Sequence, residues 1–483
     1  MSSFVSRLPS RLVHSNKSPK MSSSTAPKDI TIVGGGIIGC STAYFLTRHP
    51  SYSPSTHRIT LLEASSSNAG GRTADSIQDP ATLADPATAS KKNPAHEGIA
   101  GGASGKAGGL LALWAFPSNI VPLSFRLHDE LAKEHDGDKR WGYRRCYASQ
   151  VDCKARVPPG FSGKGNTDTV ADLAKSGAEP SSKGLHKDHK KDAKALAKLG
   201  APNDLDWLDT TESLGAYEEM GTPENTAQVH PELFTRSMAQ LAEDKGVKIV
   251  TGARVTAINK SSDGKQVESV VYEKDGQEQT LPTTDCIVSA GPWTRRLLPE
   301  VPVTATRAHS VVIQTPRPIS AYALFTAIAL PEGFPKPTPK NARGTAAAQT
   351  LLRNQQIVEP EIYARPDGTA YACGPTDNVA PLPHTPAEVE VDTARCDDIA
   401  YQVGGISDEL RDGKVLAKQA CYLPQGGPYI GEVGGTKGLV VAAGHTCWGI
   451  QNAPATGKLV SEIVLDGMAK SAKLGDCDPA RVL

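Results

Sequence analysis

The sequence predicts an α/β protein: a three-layer, Rossmann-like nucleotide domain assembled from separate chain segments and interleaved with a mixed-sheet α+β domain. Three observations carry this expectation. Residues 29–39 read Asp-Ile-Thr-Ile-Val-Gly-Gly-Gly-Ile-Ile-Gly, a β-branched run that breaks into glycines and is followed by helix-prone residues. Near the other end of the chain, residues 439–443 are wholly apolar and read as a buried parallel strand. Strand-like and helix-like segments alternate between them, interrupted by polar stretches.

Within the first segment, Gly34-x-Gly36-x-x-Gly39 is a dinucleotide fingerprint in its required setting. Gly34 permits the tight turn, Gly36 lets backbone approach a pyrophosphate, and Gly39 lets the helix pack on the sheet, with Ile37 and Ile38 in its first turn. The second strand, residues 57–62, runs into Glu63 and Ala64, where a carboxylate accepts ribose hydroxyls and repels a 2'-phosphate. That disfavours NADP. Residues 65–95 and 158–198 have the Ser/Gly/Pro/Lys/Asp composition of surface insertions, the second with a solvated run of lysines. Residues 231–246 form a helix by the spacing of Leu233, Phe234, Met238 and Leu241. Strands are expected over 247–250, 253–259, 267–273 and 286–290, the last two resuming the main sheet, and 454–465 reads as a helix.

Composition excludes several classes. Lys+Arg and Asp+Glu both number 52, so no global field favours nucleic acid. Nine scattered cysteines without a Cys-x-x-Cys favour neither a disulfide framework nor a metal site. The longest apolar runs are far shorter than the roughly 20 residues of a membrane span, so a soluble protein with no transmembrane segment is expected. Residues 1–28 are basic, serine-rich and free of acidic side chains. They read as a disordered tail or, alternatively, as a mitochondrial targeting segment.

Five blocks in order resemble the FAD-dependent D-amino-acid oxidase superfamily, which includes glycine oxidase and sarcosine oxidase. They are the fingerprint; Gly102-Ala-Ser-Gly-Lys-Ala-Gly-Gly-Leu-Leu111; residues 229–234 with 246–249 and 255–258; Ile287-Val-Ser-Ala-Gly-Pro-Trp293; and Pro428-Tyr-Ile-Gly431 with Gly444-His-Thr-Cys-Trp-Gly-Ile450 and residues 455–458. The resemblance implies an FAD-binding domain over 29–125, 228–299 and 416–470. It implies a substrate domain over 126–227 and 300–415, with 471–483 as a tail. The FAD would rest on the fingerprint and on the small-residue loop Ser104, Lys106, Ala107, Gly108, Gly109 and Leu110, where bulky side chains would collide with it. Val255 would pair its backbone with the adenine, and Gly291 and Trp293 would lie beside the cofactor. Gly444, His445, Trp448, Gly449 and Ile450 would bring backbone donors to the pyrimidine end of the isoalloxazine, with His445 the candidate catalytic base. Cys421 sits where some relatives attach flavin through a thioether, although noncovalent FAD is the expectation. No metal is expected.

The implied reaction is hydride transfer to flavin from a carbon bearing an amine, in a small amine or amino-acid-like substrate. In glycine-oxidase-like members, arginines that grip the substrate carboxylate lie where this chain has Leu423 and Cys447. Arg307, Arg353 or Arg365 would have to substitute, otherwise simple amino acids are poor substrates. Alternatives are a dehydrogenase with a non-oxygen acceptor, a NAD-dependent enzyme, or a flavoprotein with a trafficking or scaffold role. The last draws on a resemblance of the 104–109 stretch to fungal oxidoreductases linked to late-endosome-to-Golgi traffic. A cytoplasmic location, with late-endosome association as a further reading, follows.

Overall fold

The computed structural model describes residues 27–67, 70–73, 96–157, 200–336 and 350–481. Its first sheet orders six strands as Tyr429–Glu432, Leu439–Ala443, Asp285–Val288, Lys28–Val33, His57–Glu63 and Lys248–Thr251. All neighbours are parallel except the first pair, which is antiparallel. The strands draw on early, middle and late chain, which is possible because parallel neighbours need crossovers rather than hairpins.

Alternation along these strands builds two cores. Ile30, Ile32, Ile59, Leu61, Ile287, Val440 and Ala442 face the helices Ile37–Thr47, Val121–Glu134, Pro231–Glu243 and Gly449–Asp466. Val33, Leu62, Val288, Val441 and Ala443 face the other way, toward a three-stranded antiparallel sheet, Arg254–Lys260, Val267–Lys274 and Gln277–Pro282. Helices, parallel sheet and antiparallel sheet make three layers.

A second, eight-stranded sheet runs Lys414–Gln425, Thr304–Gln314, Thr369–Cys373, Glu361–Ala364, Tyr322–Leu330, Tyr147–Lys154 and Leu214–Gly221, with Gln356–Val358 beside Tyr322–Leu330. One parallel pair joins Tyr322–Leu330 to Tyr147–Lys154 among antiparallel ones. One face buries Val311, Ile313, Leu324 and Ile362 against Cys396, Ile399 and Val403 of the helix Thr393–Gly404. The opposite face presents Val312, Tyr363, Tyr371 and Phe325 to Leu110 and Trp448 of the nucleotide side.

Several expectations need correction. Residues 267–273 do not resume the parallel sheet but hairpin with 277–282, a connection that Asp275 (φ 53°) and Gly276 (φ 74°) turn tightly. Lys414–Gln425, expected in the last nucleotide segment, pairs along Thr304–Gln314 in the larger sheet. The late helix begins at Gly449, with Pro454 inside it. Proline cannot donate to the Ile450 carbonyl, and His128 Nε2 takes that acceptor at 3.0 Å. Arg72, assigned to a surface insertion, is half-buried and donates to the buried Glu232 carboxylate at 2.6 Å. The expected C-terminal tail holds 3₁₀ turns, Gly475–Cys477 and Pro479–Arg481, with Cys477 and Pro479 buried. Residues 1–26, most of the first insertion (74–95) and all of the second, with its lysine run, lie outside the described residues.

Candidate functional site

A continuous cavity of about 280 Å³ opens at the C-terminal ends of the parallel strands. Lys28–Val33 lies between His57–Glu63, which follows it directly through a helix, and Asp285–Val288, which is reached only after most of the intervening chain; strand order reverses at this point, and a crevice is left there. Gly34 (φ 112°) makes the turn, and a Cβ on it would sit 2.4 Å from the Ser289 carbonyl oxygen. Gly39 presses the helix onto the turn, since a Cβ there would lie 2.0 Å from the Gly34 oxygen. Gly36 differs. Its φ of −74° suits any residue, and a Cβ would meet only the Ser104 hydroxyl, at 3.2 Å. Space rather than backbone strain is what Gly36 provides.

Glu63 is buried at the end of its strand, one carboxylate oxygen accepting from Gly35 N at 2.6 Å and the other from Ser65 N at 2.7 Å. Burial pushes its carboxyl up and these amides pull it back. Ser104 Oγ accepts from Ile37 N at 2.9 Å, which ties the glycine-rich loop to the first turn of the helix. No side chain caps that helix at Gly36, so its positive N-terminal end faces the cavity. An open Gly36, a first turn without a side-chain cap at Gly36 and a buried carboxylate at the ribose position fit an adenine dinucleotide.

Of the residues expected around the cofactor, Gly34, Gly36, Ile37, Ile38, Glu63, Ala64, Ser104, Ala107, Val255, Gly291, Trp293, Gly444, His445, Gly449 and Ile450 all line this one cavity. Six do not. Gly39 and Gly109 make close backbone contacts, Gly109 (φ 95°) because a Cβ would fall 2.0 Å from the Val229 oxygen. A Cβ on Gly108 would lie 2.7 Å from the Tyr363 ring, and Leu110 joins the core beneath that ring. Lys106 turns away, its ammonium held by the Gly101 carbonyl. Burial and then Arg72 push its pKa down to about 8. Trp448 packs edge-on against Trp114, with ring centroids 5.6 Å apart.

His445 is buried, with Nε2 paired to Thr456 Oγ1 at 3.0 Å, and burial pushes its pKa down to about 3. A neutral ring engaged by the late helix holds the Gly444 turn (φ 82°) in place. Cys421 is buried but absent from the cavity wall, with burial raising its thiol to about 11. Sequence reasoning missed the wall opposite the fingerprint. Trp293 Nε1 donates to the Pro383 oxygen at 2.7 Å and Arg296 to the Leu382 oxygen at 2.9 Å, drawing His384 and Pro386 over the cavity. No local pattern marks that segment.

The proposed replacement arginines are engaged elsewhere. Arg307 is paired with Asp377 at 3.1 Å, Arg365 donates to the Ala107 oxygen at 2.9 Å from behind the loop, and Arg353 is exposed. Leu423 and Cys447 do line the cavity. Among its described lining residues the only arginines are Arg254 and Arg296, beside Val255 and Trp293 respectively. No helix among the described residues is long and apolar enough to cross a membrane.

Compared with known proteins, residues 29–86 and 95–463 match the model of the FAD dependent oxidoreductase family, DAO. The Saccharomyces cerevisiae protein TDA3, whose name calls it an oxidoreductase, is 32% identical over 553 aligned positions, covering 94% of this chain and 95% of that one. A Schizosaccharomyces pombe protein similarly named is 29% identical over 470, covering 94% and 98%. Among solved structures, glycine oxidase from Geobacillus kaustophilus superposes with a TM-score of 0.58 at 18% identity, covering 95% of this chain and 100% of that one. At that identity the likeness speaks for the fold.

Proposed function

The chain belongs to the FAD dependent oxidoreductase family, and on that premise we propose that it holds FAD noncovalently in the cavity and oxidises a C–N bond of a small amine or amino-acid-like substrate. The observation that carries this reading is the continuity of the cavity. It runs without a break from the fingerprint turn and Glu63, past Ser104 and Ala107, to Gly444, Cys447 and Ile450 beneath the larger sheet. When bound, the flavin supplies an acceptor for the hydride of a carbon next to nitrogen.

The chain's own residues do the rest. Glu63 would accept the ribose hydroxyls, and the first turn after Gly36, its Ile37 amide already held by Ser104, would face the pyrophosphate with its remaining amides. The Gly444–Ile450 turn lines the far end of the cavity, and its free backbone N–H groups would stabilise negative charge on a bound flavin. His445, pinned to Thr456, positions that turn. Hydride leaves from the neutral amine, whose lone pair drives the loss, so an amine that binds as its ammonium must first give up its proton. A cytoplasmic protein associated with late endosomes is the cellular reading, and it rests on the resemblance of the 104–109 stretch alone.

The test is spectroscopic. The purified protein should be yellow, with stoichiometric FAD, and anaerobic addition of small amines should bleach the flavin band. A colourless protein that binds NAD stoichiometrically overturns the cofactor; a yellow protein that no member of a broad amine panel bleaches overturns the reaction. Oxygen uptake then separates an oxidase from a dehydrogenase.

A further inference from the structure

We propose that Glu361, with the aromatic arc of Trp114, Phe325, Tyr363 and Trp448, is the recognition site for the positive charge of an amine substrate that carries no α-carboxylate. The proposal deepens the amine-oxidising reading and rests on it.

Glu361 opens its strand on the face of the larger sheet turned toward the nucleotide domain. The antiparallel registers Phe325↔Glu361 and Glu361↔Cys373 set three side chains in one row across that face, and Tyr363, two residues on, shares it. Glu361 Oε2 accepts from the Tyr363 hydroxyl and lies 3.8 Å from Cys373 Sγ. These partners are neutral. Among the described residues nothing bonds Oε1 and no arginine or lysine pairs with the carboxylate. A carboxylate largely removed from water without a cation is costly, and an ammonium arriving there supplies the missing charge. Burial also raises its pKa.

The surroundings suit a cation. Ring centroids of Trp114 and Trp448 are 5.6 Å apart, Trp114 and Phe325 6.1 Å, and Phe325 and Tyr363 6.4 Å, a continuous chain of edge-to-face ring contacts. The arc begins where the cavity ends. Cys447 lines the cavity and precedes Trp448 in the chain. Gly108, next to the lining residue Ala107, lies directly against the Tyr363 ring. An amino-acid carboxylate entering here would meet Glu361 as a like charge and find no arginine. A plain amine finds its counter-charge and an apolar wall.

The experiment titrates the FAD-loaded protein with N-methylbutylamine, tetramethylammonium and sarcosine, following tryptophan fluorescence and the flavin spectrum without oxygen. Both cations should bind, and sarcosine should bind at least about tenfold more weakly; this comparison needs no variant. Glu361→Gln should weaken both cations about ten- to a hundredfold, the span of a lost charge-assisted contact. It should leave a neutral ether of the same size unaffected. Trp448→Leu should weaken tetramethylammonium severalfold. Equal affinity for sarcosine, or cation affinities unchanged in Glu361→Gln, overturns the proposal. If cations bind through Glu361 while no amine bleaches the flavin, amine oxidation is wrong and the cation site stands. If amines bleach wild type and Glu361→Gln at the same half-saturation, the cation site is wrong and amine oxidation stands.

Discussion

Gly36 and Gly39 belong to one fingerprint, yet the structure assigns them different work, and substitution by alanine separates the two. At Gly36 the backbone (φ −74°, ψ 176°) is open to any residue, and an added methyl meets only the Ser104 hydroxyl at 3.2 Å, a group that can rotate aside. The fold should therefore lose no more than about 1 kcal/mol, the scale of a less suitable N-cap residue. The same methyl projects into the cavity where a pyrophosphate must approach. Overpacking of that kind costs about 1–3 kcal/mol, which converts to about a fivefold to hundredfold loss in FAD affinity. At Gly39 the methyl would lie 2.0 Å from the Gly34 carbonyl oxygen and 2.8 Å from Ser289 Oγ, so strand and helix must part. There the loss of about 1–3 kcal/mol falls on the fold itself. The assay strips FAD from wild type, Gly36→Ala and Gly39→Ala, compares thermal unfolding of the apo forms, and titrates FAD back by calorimetry. Apo forms must be compared because bound cofactor stabilises by mass action. Apo Gly36→Ala should melt close to wild type with weakened FAD, and apo Gly39→Ala should melt markedly lower. Full FAD affinity in Gly36→Ala, or apo melting points in the reverse order, refutes the assignment.

Three more outcomes are expected. Glu232 is buried between Arg72 and Arg236; burial alone would raise its pKa, but the two guanidiniums overcome it and hold the value near about 2. Because that lies below the unfolded value of about 4.3, its contribution is complete above pH 4.3 and is lost as pH falls through 2. About 3 kcal/mol of acid sensitivity should vanish in Glu232→Gln, a variant less stable at neutral pH, and parallel pH profiles in denaturant titrations would contradict this. His128→Ala should cost about 1–3 kcal/mol by stripping the Ile450 carbonyl, and Pro454→Ala should recover part of it by restoring a donor, as a double-mutant cycle would register. Acid or heat should release all flavin, leaving a non-fluorescent protein band, because Cys421 lies off the cavity wall. A fluorescent band that disappears in Cys421→Ser would establish a thioether instead.

The readable part of the site is the part built from contiguous chain. Gly34, Gly36 and Glu63 are a turn and a strand end, and the requirements of a turn are local: positive φ, absent side chain, a carboxylate at the strand's edge. The same holds for the Ser104 loop and for Gly444. Reasoning failed where a side chain's direction decided the outcome. Lys106 and Trp448 sit inside readable motifs, yet one folds back onto its own loop and the other onto Trp114. Arg307 was a reasonable anion clamp on paper, but its ion pair with Asp377 comes from 70 residues away.

By itself the sequence determined the nucleotide turn, the acidic end of the second strand, the apolar strand at 439–443 and hence the α/β class, because hydrophobic period and glycine placement act over a few residues. Tertiary structure alone decided which strands share a sheet, that Pro454 sits within a helix whose freed carbonyl His128 takes, and that Glu361 shares one sheet face with Phe325 and Tyr363. The physical reason is sequence separation. Trp114, Phe325, Glu361 and Trp448 carry no mutual signal along the chain, and only sheet register and the closure of one domain against the other bring their side chains to one place.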